Sequence, residues 1–133
     1  MKRGFTLIEI LIAIGILSVL AAIALPGFSK PSKKADANQA VVFLRAIRLA
    51  EKMYLAKNGT YLAESDANSI RTNLGAEISD GKYSFSVVAT NPIPPAQPTF
   101  TATATRVSDN NWLSLDDAGS WTGSIETAFI PTS

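Results

Sequence analysis

From Phe5 to Leu25 the chain is apolar apart from Thr6, Glu9, Ser18 and the small Gly15. A helix over this run, at about 1.5 Å per residue, is about 30 Å long, which matches the hydrocarbon thickness of a bilayer. A core helix in a small domain seldom carries so long an apolar run, so we read the segment as membrane-spanning. Lys2 and Arg3 flank it on one side and Lys30, Lys33 and Lys34 on the other, so the positive-inside count leaves the orientation open.

Glu9 is the residue out of place in this run. A carboxylate inside a membrane segment is costly and marks a functional site with a partner. No Lys or Arg occurs between Thr6 and Ser29, so the partner is expected from outside the segment. Two other readings compete. Ala22-Ile23-Ala24 has the small-x-small form cut in secretory signal peptides, but the apolar run exceeds their core length and contains Glu9. A plain membrane anchor accommodates the run but needs neither Gly4-Phe5 nor Glu9.

The stretch Gly4-Phe5-Thr6-Leu7-Ile8-Glu9, preceded by Lys2-Arg3, resembles the class III signal sequence of type IV pilins and type II secretion pseudopilins. The resemblance implies a leader over 1–4 and cleavage between Gly4 and Phe5 by a prepilin peptidase. It also implies N-methylphenylalanine at Phe5, and assembly through Glu9 paired with the Phe5 ammonium of a neighbouring subunit. Physics favours such a pair, because opposite charges attract far more strongly in a low dielectric than in water. Removing one partner strands the other. The resemblance further implies a precursor in the inner membrane with its N-terminus cytoplasmic. The body of the chain then lies outside and is assembled into an extracellular pilus or a periplasmic pseudopilus. The partners implied are a helical homopolymer, the prepilin peptidase, the membrane, and the pilus or type II secretion machinery.

Composition bounds the remainder. About a hundred residues of the 133 follow the apolar run, enough for one small domain. Cysteine and histidine are absent, which excludes disulfides, thiol nucleophiles and every His-dependent mechanism. Many type IV pilins close a C-terminal loop with a disulfide, and this chain departs from that pattern. The formal net charge is +1, and removing Lys2 and Arg3 leaves −1. So even a balance points away from nucleic acid. No nucleophile–base pair and no cofactor motif occurs, so an enzyme is not expected.

Pro26 and Gly27 interrupt the helical pattern and are expected to supply flexibility, and Pro31 repeats the interruption. From 32 to 57 the residues favour helix. Ala40, Phe43, Ile47, Ala50 and Tyr54 make an apolar stripe, with Ala46 and Met53 on its shoulder. Arg45, Arg48 and Lys52 fall on the opposite side. Val41, Val42, Leu49 and Leu55 lie off the stripe, and contact with neighbouring subunits is one reading of them. Asn58-Gly59 suits a left-handed C-cap, which explains it better than the formal glycosylation sequon Asn58-Gly59-Thr60.

The connector over 58–81 offers Ser65 or Asp66 as cap of a short helix containing Ile70 and Leu74, ended by Gly75. From Lys82 the period becomes two. Tyr83–Ala89, Thr99–Val107, Trp112–Leu115 and Ser120–Ile125 read as an antiparallel meander with one oily face, broken by the proline-rich 92–98. Asp116 and Asp117, with Asp109 nearby, are weak calcium candidates and better turn formers. Glu77 and Asp80 read as solvated. Trp112 and Trp121 read as sheet-face aromatics.

The expected fold is α+β and type IV pilin-like, a long N-terminal helix with a small antiparallel sheet. Its parts are a leader over 1–4, a membrane and filament-core helix over 5–29, and a head over 30–133 with its sheet over about 82–125. The function this implies is a structural subunit of a type IV pilus. A type II secretion pseudopilin and a membrane-anchored binding module are the alternatives.

Overall fold

The computed structural model describes residues 4–24, 29–78, 81–125 and 130–131, with the side chains of 24 and 29–32 outside the description. The chain divides into two compact units, Met1–Ala35 and Asp36–Ser133.

In the first unit, helix α1 covers Leu7–Ala24. Phe5 and Thr6 precede it without helical structure, so the helix begins two residues later than the apolar run. Its 18 residues correspond to about 27 Å. Among the described residues, no helix is long and apolar enough to cross a membrane. Pro26 and Gly27, expected to give flexibility, lie outside the described residues, as does Leu25.

Helix α2 runs Ser29–Asn58 and crosses from one unit to the other. Pro31 does not interrupt it, because it sits in the first turn, where backbone N–H groups have no helical acceptor. At the far end the Gly59 amide donates to the Leu55 carbonyl at 2.7 Å, with Gly59 at φ 75°. That is the expected left-handed cap, open to glycine at little cost.

Within the second unit, which we call the head, four strands follow. They are β1 Tyr83–Thr90, β2 Thr99–Arg106, β3 Trp112–Asp116 and β4 Trp121–Gly123, paired antiparallel in the order β1-β2-β3-β4. The inner face carries Tyr83, Phe85, Val87, Phe100, Ala102, Ala104, Leu113 and Leu115, all buried. Phe43 of α2 meets Phe85 edge-on at 5.7 Å between ring centroids. Each large apolar side chain buried here stabilises the head by about 1.5–3 kcal/mol relative to exposure.

The buried stripe of α2 is rotated from the one expected. Ala37, Ala40, Val41, Leu44, Ile47 and Glu51 are buried, Phe43, Ala50 and Leu55 are partly covered, and Met53 is 66% exposed. Val41 and Leu55 therefore belong to the head's interior, while Val42 and Leu49 remain exposed. The expected basic face is also corrected. Arg48 donates to the Asp117 carbonyl at 3.1 Å, Arg45 lies 5.8 Å from the centre of the Trp121 ring, and Lys52 reaches the Tyr61 hydroxyl at 2.8 Å. Long basic side chains lay their stems along apolar surface, so residues on the side opposite the expected stripe still reach the sheet and connector.

The connector docks on α2 and on the sheet edge. Asp66 caps helix α3, Ala67–Ser69, by accepting from the amides of Asn68 and Ser69. A π-helical turn over Ile70–Leu74 follows and ends at Gly75. Glu64 and Val87 exchange backbone hydrogen bonds of 2.9 and 2.7 Å, which covers part of the outer edge of β1.

Candidate functional site

The segment from Gly4 to Glu9 is built on one local device. The Thr6 amide and hydroxyl each donate to Glu9 Oε2 at 2.8 Å, and the Glu9 amide points back at the Thr6 hydroxyl at 3.4 Å. This is a capping box, in which residues three apart satisfy the orphan donors at a helix start. Thr6 thus supplies Glu9 with two uncharged donors within the segment, beside the charged partner expected from outside it. The signal was present in the sequence as Thr6-x-x-Glu9 ahead of an apolar run.

Gly4 and Phe5 lie outside the helix, both exposed, with Phe5 at 85%. Nothing lies within 4 Å of a Cβ built on Gly4. The peptide bond between them is therefore free of helical backbone pairing. Every described large apolar side chain from Phe5 to Ile23 is exposed, between 49% and 85%.

In the head, the acidic candidates are engaged by their own turns. Asp116 Oδ1 accepts from the Gly119 and Ser120 amides at 2.8 and 2.7 Å. Asp117 uses its backbone, donating to the Phe100 carbonyl and accepting from Arg48. Asp109 accepts from Arg106 Nη1 at 3.0 Å and from the Asn111 amide and side chain. Partial burial opposes ionisation of Asp109, yet these donors hold its carboxyl below the usual range. Among the described residues no three Asp or Glu come together as a metal site requires. Glu77 is exposed, and Asp80 lies outside the described residues. Asn58 donates its side-chain amide to the Tyr54 carbonyl at 3.1 Å at the end of α2. Trp112 is 40% exposed, and Trp121 packs against the core.

Three charged residues that sequence reasoning passed over are buried, Glu51, Glu64 and Arg106. Arg106 continues the inner face of β2 and donates to the Tyr83 hydroxyl at 3.1 Å as well as to Asp109. Glu51 continues the buried stripe of α2 and accepts from the Leu62 amide at 3.0 Å. Arg106 and Glu51 were legible only as extensions of an apolar periodicity by a charged residue.

Residues 1–25 match the family model described as the prokaryotic N-terminal methylation motif. A fimbrial protein of Neisseria meningitidis is 32% identical over 97 residues, covering 73% of this chain and 55% of that protein. The chain belongs to the family of type IV pilins and type II secretion pseudopilins. The type IV wide pilus major component of Thermus thermophilus is 31% identical over 65% of this chain and 64% of its own length. The type II secretion system core protein G of Pectobacterium carotovorum is 40% identical over 60 residues, 45% of this chain and 38% of that protein. The chain thus spans about half the length of the meningococcal relative. No solved structure matches it.

Proposed function

We propose that the chain is a structural subunit of a type IV pilus, made as a membrane-anchored precursor and polymerised through its N-terminal helix. The observation that carries this is the methylation-motif match over residues 1–25, on a chain whose relatives include pilus components. In this reading the leader ends at Gly4, and cleavage creates an ammonium at Phe5, which is then methylated. Glu9 meets the ammonium of a neighbouring subunit. The apolar run from Phe5 to Leu25 supports anchoring in the inner membrane before assembly, and packing against other copies afterwards. An all-round apolar helix is stable only where lipid or other helices surround it.

The match to a type II secretion core protein supports a second reading, a pseudopilin subunit of a short periplasmic filament. Filaments sheared from the cell surface separate the two, since a pilus releases this chain and a periplasmic filament does not.

The deciding experiment for the shared part of both readings is the intact mass and N-terminal sequence of the protein from native membranes. A chain starting at Phe5 with one added methyl group is expected. An intact Met1, or a start at Leu25, would overturn the proposal.

A further inference from the structure

Glu51 lies near the end of α2, with no exposed surface. Its Oε2 accepts from the Leu62 amide, while Oε1 has no hydrogen-bond partner. Neither ion pair formed among the described residues includes it. On its own helix, Arg48 sends Nη2 to the Asp117 carbonyl and Lys52 sends Nζ to the Tyr61 hydroxyl. From the connector come Tyr61, whose backbone N–H and carbonyl bond the Asn91 side chain at 2.8 and 2.9 Å, and a second carboxylate, Glu64. Glu64 accepts from the Asn73 side chain at 2.7 Å. Of these charged and titratable groups, none neutralises Glu51.

A carboxylate buried without a counter-ion is unfavourable, and protonation removes the cost. We infer that Glu51 is a proton-operated clasp: neutral, it holds the connector against α2, and ionised, it loosens that contact at Leu62. Burial pushes its carboxyl up to about 6 from the ordinary 4.5, with the Leu62 amide opposing the rise and the charge of Glu64 adding to it. Because the folded value is raised, the stabilisation is complete below about 4.5 and is lost as pH climbs through about 6. The connector also forms one wall of a cavity of about 450 Å³, with Leu74 and Glu77 facing Leu49 and Met53 of α2.

The test uses the full-length chain in detergent micelles. The Glu51 Cδ resonance is expected to titrate with a midpoint near 6, and a midpoint near 4.5 would overturn the inference. Hydrogen-exchange protection at the Leu62 and Glu64 amides, corrected for intrinsic rates, is expected to fall by up to about 8-fold between pH 5 and 8. Glu51→Gln, of the same shape but without charge, is expected to hold one protection level at both pH values. Wild-type pH dependence in that variant would also sink the idea. Glu64→Gln is expected to fold normally and to lower the Glu51 midpoint, and this arm holds even where Glu51→Gln fails to fold. An unchanged midpoint there would remove the second carboxylate from the device.

Discussion

Helix α1 and the second half of α2 are both rich in apolar residues, yet they solve opposite problems. In α1 the large apolar side chains lie all round the helix and all are exposed, so nothing within its own unit covers them. In α2 one stripe is covered by the connector and the sheet, and the rest is polar or sparsely apolar. The difference shows what each helix needs. The stripe is satisfied by the chain's own fold, whereas α1 requires a surrounding supplied by lipid or by other copies.

The comparison breaks most decisively at Glu9. Glu9→Ala is expected to leave removal of the leader intact and to abolish filaments, as read by N-terminal mass and electron microscopy. Normal filaments from that variant would end the assembly role proposed for Glu9. The head should be indifferent, keeping its wild-type Tm. Leu44→Ala reverses the pattern. Leu44 is completely buried, and its truncation is expected to destabilise the head by about 2–5 kcal/mol in denaturant unfolding while leaving processing untouched.

A smaller effect is expected at the connector. The amides of Ser69 and Asn68 hold the Asp66 carboxyl below its usual range, so its capping contribution is present above about pH 4 and is lost as pH falls through the lowered value. Asp66→Ala should therefore lower Tm slightly at pH 7, and by less as the pH falls below about 4. The smallest effect on the head belongs to Leu49→Ser. Leu49 is 64% exposed, so a change in head stability within about 0.5 kcal/mol is expected. Any fall in filament yield from this variant would then sharpen the comparison by placing part of α2 in the surface that neighbouring copies cover. Unchanged filaments would leave Leu49 an ordinary exposed residue.

Much of the architecture was open to reading from the chain alone, because it rests on local signals. The apolar run, the Gly4-Phe5 junction, the Asn58-Gly59 stop and the alternation in β1 and β2 each follow from spacing along a few residues. The boundaries of β1, β2 and β3 followed to within one residue from the same period and from the prolines after Asn91, whereas β4 covers only Trp121–Gly123 of the expected Ser120–Ile125. The rotation of the α2 stripe was not legible in this way. Phe43 and Tyr54 looked like natural centres, but the sheet and connector together select the face with Leu44 and Glu51. A helix presents several apolar stripes, and only the shape of its cover decides between them.

The candidate site shows the same division. Glu9 was found because a charge stands out in an apolar run, while its reciprocal bond with Thr6 needed the local geometry. Glu51 and Arg106 escaped because a charged residue at the end of an apolar stripe reads as the end of the stripe rather than its continuation. The sequence by itself determined the class of fold, the order of elements and the likeness of the N-terminus to a processed filament subunit, since these follow from motif, composition and period. Only the tertiary structure decided which carboxylate is buried at Leu62 and which arginine lies under Tyr83. Desolvation depends on what distant segments bring to a side chain, and no local pattern encodes it.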